Sequence, residues 1–427
     1  MQAPLGRSRR VGVAMVVGAI ATALAAPGSA SADVVTDWNR ALVDSLATTN
    51  AAPPNSGRLG ATVEGAAYDA VNGIDRRYAP LRVAATAPRG ASRDGAAVEA
   101  AYRTMSWAFP QLQADLDARR AASLGAVGAA DEEGPGSRSL QRGLTWGDAV
   151  ADEYIAWRAN DGFSPAPPPY LGSTALGAWR PLPPDGAPGA FPQLGQTLPF
   201  AVANLDDHMT PGPPALTSPR YAADLAEVVG SGGTSATAAA RDIAFSWRPN
   251  SVVIWNDVAR SLSESESRGP KLIENARLFA LLNAAMADAT RAAWREKYRC
   301  AFWRPVTANA FADRDGNDAT TRQDGWDVLF TTPNHPDYPS GHATISGAAT
   351  TVLASVFGDD RPFSMTTSDP AAVVKTRTYP SFSAASDAVN DSRVYAGIHF
   401  RSAVVDGQAL GRSVANAVLT SAFDRAR

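Results

Sequence analysis

Lys297-Tyr298-Arg299-Cys300-Ala301-Phe302-Trp303-Arg304-Pro305 is the stretch on which the reading of this chain turns. It closes a long alanine-rich run from residue 272 that has helical spacing and no internal proline. Lys297 and Arg304 stand seven positions apart, two helical turns, so a continuous helix turns both toward one face. Tyr298, Phe302 and Trp303 make the surroundings aromatic. On a solvent face this would be an ordinary charged helix. Buried, two cations on one side are costly unless they share an anion.

Two further stretches downstream carry the same kind of chemistry. In Tyr338-Pro339-Ser340-Gly341-His342-Ala343-Thr344, Pro339 sets an entry and Ser340 suits an N-cap. Gly341 leaves the backbone open to close approach, and the free N–H groups of a helix start hold oxyanions. His342 falls in the first turn, where it suits proton transfer to or from a bound anion. An ordinary capped helix would explain Ser340 but not His342. The third stretch is Ser392-Arg393-Val394-Tyr395-Ala396-Gly397-Ile398-His399. On one straight helix Arg393 and His399 would diverge by about 120°, and Gly397 permits the break that turns both inward. The chain has four histidines, and three of them (His335, His342, His399) fall in or just before these segments, with His208 elsewhere.

Outward from the three stretches the pattern is helical. Apolar residues recur at helical spacing over 37–47 (with Thr36 as its N-cap), 58–74, 96–109, 140–160, 237–247, 252–262, 272–302, 340–357, 383–395 and 407–423. Residues 163–219 break this rhythm. They are dense in proline and glycine but carry Trp179, Phe191 and Phe200, which predicts an ordered loop lying over the fold. There is no alternating strand run and no βαβ rhythm. The fold expected is all-α, two packed helical bundles with long ordered loops. Residues 33–219 form the N-terminal region and 220–427 the bundle that carries the polar stretches.

Composition narrows the class further. Of 427 residues, 45% are hydrophobic and 19% charged, and the formal net charge is −3. That suits a large packed core and leaves no basic stripe for nucleic acid. Arg7, Arg9 and Arg10 precede an uncharged apolar run from Val11 to Ala26, and Ala30-Ser31-Ala32 fits a signal-peptidase site. Residues 1–32 therefore read as a cleavable export signal, with Ser8-Arg9-Arg10 a partial twin-arginine motif. No later segment has the length and apolarity of a membrane span. Cys300 is the single cysteine, so no internal disulfide forms, and its aromatic neighbours mark it as a small buried hydrophobe.

Taken in order, Lys-x6-Arg-Pro, Pro-Ser-Gly-His and Ser-Arg-x5-His resemble the three-part signature of the superfamily that joins type 2 phosphatidic-acid phosphatases to vanadium-dependent haloperoxidases. The strings Phe302-Trp303-Arg304-Pro305-Val306-Thr307, Asn334-His335-Pro336-Asp337-Tyr338-Pro339-Ser340-Gly341-His342 and Val394-Tyr395-Ala396-Gly397-Ile398-His399-Phe400-Arg401-Ser402 look like the haloperoxidase branch. So does Ala67-Tyr68-Asp69-Ala70-Val71-Asn72-Gly73-Ile74-Asp75, which is similar to its bacterial members. The resemblance implies that Lys297, Arg304 and Arg393 bind the oxygens of vanadate or phosphate, with Ser340 and the Gly341 N–H adding hydrogen bonds. It makes His399 the axial ligand to vanadium, or the nucleophile of a phosphatase, and His342 the acid–base residue. His335 resembles the histidine found near this point in algal bromoperoxidases, which implies a part in halide tuning; a plain loop histidine is the alternative. One departure stands out. The pattern usually continues His-x3-Asp, with the aspartate orienting the histidine, and the chain has Ala403 there. Asp406 is the nearest acid in sequence beyond it.

The function expected is oxidation of halide by hydrogen peroxide at a histidine-held vanadate, with a small organic acceptor. The alternative is a secreted acid phosphatase acting on a phosphomonoester through a phosphohistidine, and a third reading is a binding protein that has lost turnover. A homodimer is compatible with either enzyme.

Overall fold

The computed structural model describes residues 33–130, 136–266, 272–421 and 423–425; the export signal expected over 1–32 lies outside them. Among the described residues the chain forms α1 (Val34–Thr48), α2 (Pro53–Asp75), α3 (Arg93–Ala108), α4 (Gln113–Ala130), α5 (Arg138–Ala159), α6 (Pro219–Ser231), α7 (Ala238–Ser246), α8 (Ser251–Ser265), α9 (Leu272–Cys300), α10 (Pro305–Phe311), α11 (Gly341–Phe357), α12 (Phe382–Tyr395) and α13 (Arg401–Ser421). The all-α expectation holds, with one small antiparallel hairpin added, β1 (Phe363–Thr366) and β2 (Thr376–Tyr379). None of the described helices is long and apolar enough to cross a membrane.

Several boundaries differ from the sequence reading for local reasons. Thr36 does not cap α1: Asp33 does, accepting the Thr36 N–H at 2.9 Å. α4 escapes a periodicity search because it buries only Leu116 and Gly128. α13 starts at Arg401, six residues before Gly407. The hairpin is too short for its alternation to register, with only Phe363 and Met365 turned into the core.

α9 is the axis of the molecule. α2 packs along one side of it, with α3 and α5 beyond, while α11 and α13 pack along the other. Apolar side chains from both sides join one continuous core. A buried polar chain also crosses it. Asn39 of α1 donates to Glu64 of α2 at 2.9 Å and to Asn256 of α8 at 2.8 Å, and Asn256 exchanges hydrogen bonds with Asn283 of α9. The closest helix contact is between α11 and α13. A Cβ on Gly411 would lie 2.0 Å from the carbonyl oxygen of Thr344 and 2.8 Å from the Ala348 nitrogen. Glycine there brings the two backbones together, and this contact holds the first turns of α11 against the middle of α13.

The long loop is ordered, as expected, and its only described helical pieces are short 3-10 turns. Phe200, Ala201 and Val202 donate three backbone N–H groups to Asp288, a fully buried carboxylate on α9. Trp179 N–H reaches the Ala301 carbonyl at 2.7 Å, and Trp303 N–H reaches Gly177 at 2.9 Å. The loop therefore straps the segment that joins α9 to α10.

Gly411→Ala should cost about 1–3 kcal/mol, since the atoms it meets are backbone and cannot swing aside. Gly125→Ala, in α4 with nothing within 4 Å, should leave the melting temperature level or raise it. Burial pushes the Glu64 carboxyl from 4.5 up to about 8. A raised folded value means that its contribution is complete below the unfolded value and is lost as pH rises through the folded one. Glu64→Gln should therefore flatten part of the decline in stability between about pH 4.5 and 8, measured by chemical denaturation.

Candidate active site

Lys297 is the last buried residue of α9, and its ammonium is fully shielded from solvent. It donates to the carbonyl oxygens of Pro336 at 2.8 Å and Asp337 at 2.9 Å. An ammonium has three protons, so one remains to reach a ligand. The Trp294 ring lies 5.6 Å from Nζ.

Arg304 arrives differently from the helical expectation. α9 stops at Cys300, Ala301 takes a left-handed φ of 46°, and Arg304 sits in extended backbone as the residue before α10. A chain reversal, not a helical face, brings it back toward Lys297. Its guanidinium is fully buried. Nε donates to the His335 carbonyl at 2.9 Å and Nη1 to the Ile398 carbonyl at 2.8 Å. Nη2 lies 3.0 Å from His335 Nδ1, and Nη1 lies 3.1 Å from His399 Nε2. Arginine only donates, so His399 Nε2 faces it with a lone pair, whereas His335 Nδ1 stands between the Arg304 donor and the Pro336 carbonyl at 3.2 Å.

Arg393 ends α12, and the break foreseen at Gly397 occurs, with φ +79°. A Cβ there would also meet the Gly233 backbone at 3.0 Å. Arg393 Nη1 donates to the Trp247 carbonyl at 3.3 Å, its guanidinium lies 5.6 Å from the Phe330 ring, and its Nε is buried without a partner. His342, in the first turn of α11, has Nε2 3.3 Å from the Pro249 carbonyl. A carbonyl only accepts, so Nε2 carries the proton and Nδ1 the lone pair. The 247–249 segment thus holds both Arg393 and His342, and nothing in its sequence marked it.

Ser340 caps α11 loosely, its hydroxyl 3.5 Å from the Ala343 N–H. Its own N–H is held by the Ala403 carbonyl at 2.9 Å. A Cβ on Gly341 would press to 3.1 Å on Trp294, so glycine lets the start of α11 sit directly over Trp294 and Lys297. Trp294 also packs against the His335 ring, centroids 4.9 Å apart.

The residue that the sequence reading quoted but gave no role is Asp337. It is fully buried, and its Oδ1 lies 2.8 Å from His399 Nδ1 and 3.8 Å from Arg304 Nη1. The imidazole contact is close but bent, since neither carboxylate oxygen has an aligned hydrogen-bond donor. Asp406 is occupied elsewhere, accepting the Tyr338 hydroxyl at 2.8 Å and facing Arg220 at 3.5 Å. His208 is half-buried beside Ser413, and burial pushes the half-buried Cys300 thiol up to about 11, so neither joins the site.

The electrostatics follow from burying like charges. Burial, then Arg304, holds Lys297 well below its ordinary value. Burial lowers Arg304 to about 10, and burial followed by Arg304 lowers Arg393 to about 9. His335, His342 and His399 are each held well below the usual imidazole range, first by burial and then by neighbouring cations. Of the three cations, Arg304 and Lys297 act on one carboxylate, Asp337, and burial raises that one to about 7. A bare metal cation would meet repulsion here. An oxyanion fits: the cations, the α11 N–H groups and the orphaned Arg393 Nε are donors, and one neutral imidazole nitrogen faces them.

Comparison with known proteins agrees with this geometry. Residues 277–426 match the family model of the second helical-bundle domain of vanadium chloroperoxidase. That span holds every site residue named above from Lys297 onward. The vanadium chloroperoxidase of Curvularia inaequalis is 29% identical over 171 residues, which cover 30% of this chain and 27% of that protein. The aligned part is thus about a quarter of the curated relative's length. Among solved structures, a bacterial vanadium-dependent iodoperoxidase matches with a TM-score of 0.73 and 24% identity, over 91% of this chain and 97% of that one. A holo-type bacterial vanadium-dependent chloroperoxidase matches with a TM-score of 0.67 and 17% identity, over 92% and 93%. The C-terminal bundle is thus similar to the second helical-bundle domain of vanadium chloroperoxidase, and the chain as a whole has the fold of the bacterial vanadium-dependent haloperoxidase structures.

If the cluster is built for an anion, phosphate or orthovanadate should raise the melting temperature as its concentration exceeds the dissociation constant. Arg393→Met removes a repelling cation that makes a single long hydrogen bond. The ligand-free variant should be at least as stable as the parent, and its protection by phosphate should largely vanish. Full protection in that variant would place the anion elsewhere.

Proposed function

We propose that this protein oxidises halide with hydrogen peroxide at a vanadate held by His399. The observation that carries the reading is the burial of Lys297, Arg304 and Arg393 around a neutral imidazole whose Nε2 lone pair faces them. Lys297, Arg304 and Arg393 would hold the oxyanion's oxygens, Ser340 and the Gly341 N–H would add hydrogen bonds, and His399 Nε2 would be the protein ligand. Vanadate, when bound, would supply the electrophilic centre at which hydrogen peroxide takes up two electrons from halide and, with one proton from solvent, gives hypohalous acid and water. His342 Nδ1, neutral and unprotonated, would take the proton that peroxide releases. His335 packs against Trp294 and its Nδ1 lies 3.0 Å from Arg304 Nη2, so its influence on halide choice would pass through the guanidinium. A cavity of about 720 Å³ lies between Pro181, Pro183, Phe311, Phe330 and Thr332. Phe330 joins it to Arg393, and its apolar walls suit a small organic acceptor. The leader pattern in residues 1–32 supports an exported enzyme.

Phosphomonoester hydrolysis at the same pocket is the second reading, and Asp337 favours it more than the sequence did. The absence of an acid at Ala403 argued against a nucleophilic His399. A carboxylate 2.8 Å from Nδ1 removes that argument.

His399→Ala should abolish orthovanadate retention and halide oxidation together. His342→Ala should keep orthovanadate and lose about 10²–10⁴-fold in turnover. If instead His399→Ala abolishes an acid-labile phosphoenzyme while halide oxidation is absent from the parent, the phosphatase reading replaces this one.

A further inference from the structure

The superfamily pattern places an aspartate four residues beyond the third-motif histidine, and this chain has Ala403 in that position. Ala403 is fully buried among Tyr338, Phe400 and Val404 in an apolar cluster. Its contribution to the site is a backbone carbonyl, which accepts the Ser340 N–H. A carboxylate on its side chain would enter that apolar cluster. The acids nearby are otherwise engaged: Asp406 with Tyr338 and Arg220, and Asp224 with the Ser402 N–H at 3.2 Å.

Asp337 occupies the gap from another segment. Its N–H is held by the Phe302 carbonyl at 2.9 Å, its carbonyl receives Lys297 Nζ at 2.9 Å, and the next side chain, Tyr338, is tied to α13 through Asp406. These ties fix the backbone on both sides and leave the carboxylate facing His399. The carboxylate is nearer to His399 Nδ1 (2.8 Å) than to Arg304 Nη1 (3.8 Å), and Lys297 addresses the backbone oxygen instead. It therefore does more than neutralise cations. Arg304 Nη1 lies nearer to Nε2 (3.1 Å) than to Nδ1 (3.5 Å), and the Asp337 carboxylate lies 2.8 Å from Nδ1, so the donor favours a lone pair on Nε2 and the acceptor a proton on Nδ1. A single tautomer satisfies both, with the proton on Nδ1 and the lone pair on Nε2.

We propose that Asp337 is the positioning residue of His399, supplied from the stretch before Ser340 in place of the aspartate missing at position 403. The proposal deepens the oxyanion-site reading and holds for either chemistry, since a vanadium ligand and a phosphate nucleophile both need the Nε2 lone pair. Carboxylates that orient a ligating histidine typically affect metal affinity by 10–100-fold.

The test uses the full chain with ¹⁵N-labelled histidine rings, which give only four ring systems to assign, His399 being identified by its loss in His399→Gln. Without any anion, the parent should show His399 with a pyrrole-like Nδ1 and a pyridine-like Nε2. Asp337→Ala should mix or invert this tautomer and weaken orthovanadate binding in calorimetry by at least tenfold. Asp337→Asn, whose amide oxygen still accepts from Nδ1, should keep the tautomer and most of the affinity. An Nε2–H tautomer in the parent overturns the proposal, as does an unchanged His399 signal in Asp337→Ala or an equal loss in Asp337→Asn and Asp337→Ala. The tautomer is read without vanadate, so failure of the haloperoxidase reading leaves this result standing on its own.

Discussion

Three buried cations facing one another around a single carboxylate are the constraint on which this structure depends. In a low-dielectric interior, Lys297, Arg304 and Arg393 repel, and each has lost its hydration. The fold answers with carbonyl oxygens: Pro336 and Asp337 for Lys297, His335 and Ile398 for Arg304, and Trp247 for Arg393. These acceptors come from loops and helix ends, where backbone carbonyls are free of helical partners. The scaffold has to bring four chain segments to one point and keep them there. This accounts for the strap from the long loop onto residues 301–303, and for the glycine contact that locks α11 to α13.

The same constraint fixes the character of the ligand. Carbonyl oxygens satisfy the N–H groups of the cations but carry no full charge, and the one carboxylate does not balance three positive groups. A multiply charged oxyanion supplies both the charge and the acceptor geometry that the site leaves unmet, most visibly at Arg393 Nε. The imidazoles, kept neutral by burial and by the cations beside them, are then free to donate lone pairs. In the proposed function the cations would bind the anion and would also hold His342 and His399 neutral.

Much of this was legible in the sequence because the chemistry sits in short contiguous strings. Pro339-Ser340-Gly341-His342 announced a helix start that binds an anion, and Gly397 announced the break that turns Arg393 and His399 inward. The long helical runs were read from apolar spacing, and the buried aromatics of the 163–219 region foretold an ordered loop. What was missed depended on geometry between distant segments. Lys297 and Arg304 converge through a left-handed residue at Ala301, which no pattern of side chains predicts. Asp337 lies two residues before Pro339, but its partner is sixty-two residues away, and the sequence pattern points for an orienting acid to the helix after His399. The carbonyls of Trp247 and Pro249 have no sequence signature, because any residue carries one. α4 was missed for the opposite reason: exposed on nearly every side, it has no apolar stripe to read.

The central claim is that this cluster loads one vanadate and uses it to oxidise halide. The direct measurement is a titration of the vanadium-stripped protein with orthovanadate, following peroxide-dependent oxidation of iodide, bromide and chloride in parallel. The account predicts that oxidation of at least one halide appears with the metal and saturates at one equivalent per chain. Saturated binding with no halide oxidised, accompanied by hydrolysis of a phosphomonoester that orthovanadate inhibits, would contradict it.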